Sequence, residues 1–232
     1  MMNKEKTSLT DIALVLVSGG LLLTVLLGVV GRRGAVAQTE NQPHIVIDAG
    51  HGGEDGGASA ADGTLEKSIN LAVALPLGNL LHVMGFDVSQ TRTEDVMICS
   101  EGNTLRERKV SDIKNRLARI EQADVAVSIH QNKFPQSQYH GAQMFYAPAN
   151  ENSKVLAESV RSSVISLLQP SNTRELKKGE ETVYLLKHAT KPLVLVECGF
   201  LSNEQECAKL KTMEYQRQLA FAVASGIFSY YS

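Results

Sequence analysis

The sequence predicts an α/β fold: a single domain with a mixed, mostly parallel central sheet covered by helices on both faces, preceded by one hydrophobic N-terminal helix. Three observations carry this. Short β-branched runs alternate along the chain with stretches of helical period, the order that builds parallel β–α units. Several of those runs (HIVID, VAVSI, LVLVE) are apolar almost without a break, as strands buried on both faces must be. A long uncharged stretch stands apart at the N-terminus, ahead of the first of these runs.

That stretch is Ile12–Val30, nineteen residues without a charge, with Lys4 and Lys6 before it and Arg32 and Arg33 after it. A helix of this length is about enough to cross the hydrocarbon core of a bilayer. Ala35-Val36-Ala37 fits the small-residue cleavage pattern of a secretory signal, so residues 1–37 read as a signal peptide or a retained membrane anchor. Basic residues on both flanks leave the orientation rule silent. Either reading exports the remainder of the chain. Residues 38–43 (QTENQP) are polar with a proline and read as a linker, and residues 44–232 as the exported domain.

Within that domain, His44–Asp48 reads as a strand running into a long glycine-rich loop, AGHGGEDGGASAADG. Glu66–Met84 comes next as a helix despite Pro76, with Gly85 as its stop. Phe86–Thr91 is a second strand. Thr104–Gln122 spaces Leu105, Val110, Ile113, Leu117 and Ile120 as a helix does. Val125–Ile129 and Gly141–Ala147 are further strands, and Asn152–Gln169 is a helix ended by Pro170. Val183–Leu186 is expected as a short strand, Leu193–Glu197 as a central one, and Glu204–Phe228 as one final helix.

Composition narrows the function. The 232 residues are 43% hydrophobic and 21% charged, near the globular average, which excludes disordered, collagen-like and coiled-coil chains. A net charge of −2 supplies no basic field for a nucleic acid. Three cysteines are too few, and odd in number, for a disulfide framework. Aromatic residues make up 5% with no tryptophan, so stacking on sugars or bases is expected to contribute little. The basic residues of 106–119 (Arg106, Arg108, Lys109, Lys114, Arg116, Arg119) are interleaved with acids and read as a solvated helix face.

Ligands of open α/β sheets bind outside the carboxyl ends of the strands. The polar residues standing there are His51 after HIVID, His130 and Asn132 at the end of VAVSIHQN, and Glu197 at the end of LVLVE. Two histidines and a carboxylate make a catalytic zinc set with a position left for water, and a further carboxylate is needed to move the proton. Glu197, following four apolar residues, suits that task; a buried ion pair is its structural alternative. Spacing leaves the third ligand open between Glu54, which gives His51-x-x-Glu54 as in zinc carboxypeptidases, and Glu66 at the start of the first helix. The glycine-rich loop matches neither phosphate-binding pattern, and its acids Glu54 and Asp55 would repel a phosphate.

HIVIDAGHGGEDGGA, LEKSINLAVA, SIHQN and LVECGFLSN, in this order, resemble the zinc-dependent N-acetylmuramoyl-L-alanine amidases of bacterial cell walls (the Amidase_3 type) from His44 to the C-terminus. The resemblance implies a phosphorylase/hydrolase-like fold and a zinc ion held by His51, Glu66 and His130, with Glu197 as catalytic glutamate. It also implies peptidoglycan as substrate, cut between the lactyl group of N-acetylmuramic acid and L-alanine. Asn132 is expected to orient a ligand or touch substrate, and Arg174 to meet a stem-peptide carboxylate. SNTRELKKGEETVYLLKHA and the hydrophobic N-terminus look closest to the germination-specific amidases of endospore formers, which act in cortex synthesis ahead of muramic-δ-lactam. No wall-binding repeat accompanies the domain, and the stretch from His130 to Val183 lacks the long helical insertion that plugs the site in some relatives. Both departures imply an open site whose activity is set by location or by an activating or targeting protein partner.

Overall fold

The computed structural model describes residues 42–232, which form one unit. The expected N-terminal hydrophobic helix, the cleavage pattern and most of the linker lie outside the described residues. Among the described residues no helix is long and apolar enough to cross a membrane.

Six strands form one sheet: β1 (His44–Ala49), β2 (Asp87–Gln90), β3 (Val125–Asn132), β4 (Gln143–Tyr146), β5 (Lys177–Lys178) and β6 (Leu193–Phe200). Their order is β2-β1-β3-β6-β4-β5. β2, β1, β3 and β6 run parallel, while β4 pairs antiparallel with β6 and parallel with β5, so the mixed, mostly parallel sheet is observed. The helices are α1 (Glu66–Val83), α2 (Leu105–Ile120), α3 (Asn152–Leu167), α4 (Tyr184–His188), α5 (Glu204–Leu210) and α6 (Met213–Tyr230).

Strand alternation sorts the core into two layers. Ile45 and Ile47 of β1, Val127 of β3 and Val196 of β6 face α1, α3 and α6, packing on residues such as Leu77 and Val160. Val46, Ala126, Leu193 and Leu195 face α2 and α4 through Ile120 and Leu186. Helices therefore cover both faces, as the unbroken apolar strands require.

Two of the expected elements take another form, and β5 is an addition to them. Residues 184–188 form a helix, α4, and not a strand; a four-residue apolar run fits either, and here both Leu185 and Leu186 are buried against one face. The final helix is two. Asn203 caps α5 by accepting from Glu206 N, and the Thr212 side chain accepts from Tyr215 N to start α6 afresh. α2 starts with a reciprocal capping box between Thr104 and Glu107.

The chain passes from β1 through α1 to the edge strand β2, then through α2 back across to β3 on the other side of β1. The strand order thus reverses between β1 and β3. In a doubly wound sheet this switch point opens a crevice at the carboxyl ends. His51 lies just past β1 and His130 near the end of β3.

Candidate active site

His51, Glu66 and His130 each offer a donor atom, and the three atoms lie within 4.8 Å of one another. Three separate elements deliver them: the loop after β1, the first residue of α1, and β3. His51 Nε2 stands 3.3 Å from Glu66 Oε2, and His130 Nδ1 3.0 Å from Glu66 Oε1. The two imidazoles meet edge-on, with centroids 5.2 Å apart. Glu66 is buried, and besides the histidines it accepts from the backbone N–H of Ala58 (2.8 Å) and Gln131 (3.1 Å). Asn70 Nδ2 adds a donor at 3.3 Å.

The backbone is shaped around these side chains. A Cβ on Gly50 would fall 2.2 Å from the His130 ring, and one on Gly57 would fall 2.6 Å from Glu66 Oε2. Glycine is needed at both places because the His130 ring and the Glu66 carboxylate lie against the main chain. His51 itself has φ +62°, alone among the described non-glycine residues in taking a positive φ.

His51 Nδ1 bonds Asp55 Oδ2 at 2.8 Å, which leaves Nε2 to face Glu66. Such a partner fixes tautomer and ring orientation in metal sites. Lys109 pairs with the other Asp55 oxygen at 2.7 Å. Burial alone would push the His51 imidazole down; its contacts with Asp55 and Glu66 outweigh this and lift it to about 9. Burial would likewise raise Glu66, but both imidazoles hold it well below the usual carboxylate range. Two imidazoles and an ionised carboxylate suit a borderline divalent ion. The set therefore fits a metal.

Glu197 sits beside this group. In the parallel β3–β6 ladder His130 and Glu197 are directly paired, so both side chains project on one face. Glu197 Oε2 is shut from solvent and has no hydrogen-bond partner among the described residues. The buried-ion-pair alternative is therefore not what the structure contains: no salt bridge to Glu197 is present among the described residues. Burial is the main reason its carboxyl is pushed up to about 7, with Glu66 adding to the rise and the two histidines opposing it.

Past His130 the ladder shifts: Asn132 pairs with Phe200, so β6 carries an extra residue. Such a bulge re-aims the side chains beyond it. Asn132 also accepts from Leu201 N through its backbone oxygen, at 2.8 Å. Arg174 reaches the same end of the sheet. Its guanidinium lies 4.3 Å from the Phe200 centroid and 5.7 Å from that of Tyr139, while Nε donates to His140 O and Nη1 to Gln143 Oε1. Gln143 is the β4 neighbour of Glu197.

The remaining candidates sort by their surroundings. Glu54 is outside the donor group; it pairs with Arg108 at 2.5 Å and stays largely exposed. Cys198 and Cys207 are both free and buried, and Cys198 packs in the core. The basic stretch of α2 is not a uniformly solvated face: Arg116 is 1% exposed and pairs with Asp48 and Asp112, each at 2.6 Å. Asp55, Asp48 and Arg116 are site neighbours that sequence pattern alone does not single out. An aspartate closing an otherwise apolar strand is the available signal for Asp48.

Residues 45–229 match the N-acetylmuramoyl-L-alanine amidase family Amidase_3. The germination-specific N-acetylmuramoyl-L-alanine amidase of Bacillus subtilis is 34% identical over 191 residues, covering 81% of this chain and 79% of that one. An uncharacterised protein of the same organism, YqiI, is 37% identical over 197 residues, covering 81% and 84%. Among solved structures, the CwlD amidase of Clostridioides difficile in complex with the GerS lipoprotein superposes with a TM-score of 0.78 at 42% identity, covering 82% of this chain and 98% of that one. Fold, sequence and the residues gathered at the switch point agree, and the chain belongs to the N-acetylmuramoyl-L-alanine amidase family.

Proposed function

We propose that this protein is a zinc hydrolase that cleaves the amide between N-acetylmuramic acid and L-alanine in peptidoglycan, acting on spore cortex ahead of muramic-δ-lactam formation. The observation that carries the reading is the His51–Glu66–His130 donor group with Glu197 in register beside it. His51, Glu66 and His130 hold the ion. When bound, it supplies a Lewis acid that brings the pKa of water to about 7 and polarises a carbonyl.

The rest falls to the protein. Glu197, with a buried oxygen free of partners among the described residues, accepts the proton of the attacking water as the new C–O bond forms at the lactyl carbonyl. It returns that proton to the alanine nitrogen as the C–N bond breaks. A carboxyl lifted towards neutrality by burial is matched to both halves of this transfer. Asp55 orients His51 through Nδ1. Arg174, held on Phe200 and on Gln143 beside Glu197, meets a stem-peptide carboxylate, and Asn132 lines the approach at the bulge.

Similarity to a germination-specific amidase and to CwlD supports the cortex assignment. That the CwlD structure is a complex with a lipoprotein supports an activating or targeting protein partner here as well. Residues 1–37 act as signal or anchor and 38–43 as linker, which places the catalytic domain, residues 44–232, outside the cytoplasm. The test is product analysis. Zinc-loaded protein, with and without extract of sporulating cells, is incubated with cortex peptidoglycan. Released peptides beginning with a free L-alanine amino group are the expected result. Shortened C-termini would mean a carboxypeptidase, and no release under either condition would mean a wall-binding scaffold.

A further inference from the structure

The loop carrying His51 is gripped by two arginines that the proton transfer and metal binding do not use directly. Arg92 donates from Nε to Ala49 O (2.9 Å) and from Nη2 to Gly50 O (3.1 Å) and Lys67 O (2.8 Å). Arg116 donates from Nη1 to Ala49 O and from Nη2 to His51 O, both at 2.7 Å. Three successive carbonyls, 49 to 51, therefore converge on two guanidinium groups whose residues are 3% and 1% exposed. Arg116 is fixed in turn by Asp112 on its own helix and by Asp48 on β1. Asp48 is itself held by the hydroxyls of Thr91 (2.8 Å), just past β2, and Ser128 (2.6 Å), within β3.

This grip answers a local problem. His51 stands at φ +62° between Gly50 and Gly52, in a left-handed conformation that strains a residue with a Cβ. Glycine neighbours do nothing to hold it there. Buried ion pairs are also a poor device for stability alone, since desolvation cancels most of their attraction. Two planar forks closing on consecutive carbonyls instead specify one backbone path, a geometry that arginine provides and lysine does not.

We propose that Arg92 and Arg116 are positioning residues for metal binding, clamping the Ala49–His51 backbone so that the His51 imidazole meets Glu66 and His130. The inference rests on reading those three side chains as the metal site. Its test uses the full-length chain with Arg92→Lys and Arg116→Lys, which keep the charge and lose the fork. Val164→Ala, a cavity in the α3 core, controls for general destabilisation. Zinc affinity by chelator competition should fall roughly 10- to 100-fold in each lysine variant, the usual loss when an outer partner of a ligand is removed. The visible spectrum of the cobalt-loaded protein should change with it. Val164→Ala should lose thermal stability yet keep both. Should Arg116→Lys fail to fold, Arg92→Lys carries the test, because among the described residues Arg92 bonds only carbonyls and takes part in no ion pair. A folded lysine variant with zinc affinity within about twofold of wild type and an unchanged cobalt spectrum would overturn the positioning role alone. Wild-type protein that binds no zinc would overturn the metal reading and this role together.

Discussion

Replacing Glu197 by glutamine should separate catalysis from stability and move them in opposite directions. The substitution keeps the size of the side chain and removes its capacity to take a proton. General-base catalysis is worth about 100- to 10,000-fold, so kcat on cortex muropeptides should fall by that factor while zinc content stays at wild-type level. In the metal-free protein, mainly because of burial, the carboxyl is pushed from 4.5 up to about 7. That rise corresponds to about 3 kcal/mol held against the ionised form. A carboxyl raised on folding imposes no penalty where both states are protonated and its full penalty above the folded value. Relative to the glutamine variant, the metal-free wild type should thus lose stability between about pH 4.5 and 7. At pH 8 the variant should be the more stable by up to about 3 kcal/mol, a difference that vanishes near pH 4. Denaturant titrations of both metal-free proteins measure this. A divalent cation nearby favours the carboxylate, so in the zinc-loaded wild type the acid limb of kcat/KM should lie at or below about 7. Near-normal turnover by a zinc-replete glutamine variant would refute the proton-transfer role.

Three further outcomes rest on the same geometry. Glu66→Gln should lose zinc, as read by metal analysis after dialysis, whereas Glu54→Gln should retain it, since Glu54 lies outside the donor group and pairs with Arg108 at the surface. Asp48→Asn should cost less than the about 3–5 kcal/mol of a fully broken buried pair at pH 7, because it removes one of the two carboxylates of buried Arg116 and leaves Asp112, measured by denaturant titration. Burial works against the Asp48 carboxylate, but Arg116 and the Ser128 and Thr91 hydroxyls hold it below its usual range. Its contribution is therefore present above the unfolded value of about 4 and lost as pH falls through the folded one, so the gap between variant and wild type should close in acid. Arg174→Gln should raise KM several-fold for substrates with intact stem-peptide carboxylates and leave substrates whose carboxylates are amidated unaffected.

The parts of this protein legible from its sequence are those governed by short-range pattern. Unbroken apolar runs mark β1, β3 and β6 because burial on both faces leaves no room for alternation, and strand ends mark His51, His130 and Glu197 because α/β sheets place ligands there. Spacing is silent on Glu66 against Glu54. The choice depends on how the glycine-rich loop folds back, and it is made by the Ala58 and Gln131 amides that receive Glu66 and the Arg108 guanidinium that draws Glu54 away. α4 and the break before α6 are illegible for a related reason: Leu185 and Leu186 become helical by packing, and Thr212 declares itself a cap only once Tyr215 N is seen to need one.

Arg116 shows most directly why charge patterning misleads near a site. Along the sequence it is one of several basic residues mixed with acids, which describes a solvated helix. In space the same mixture divides by side: Arg108 and Lys109 reach out to Glu54 and Asp55 on the glycine-rich loop, while Arg116 turns inward to Asp48, Asp112 and the Ala49 and His51 carbonyls. One helix thus contacts the His51 loop through three residues. Burying an arginine is costly unless its donors are met, and here they are met by the Asp48 and Asp112 carboxylates and by the Ala49 and His51 carbonyls beside the donor group. A helix that carries its charge into the core beside a strained histidine is therefore part of how the site is held, and its charge pattern records contacts to the loop more than contacts to water.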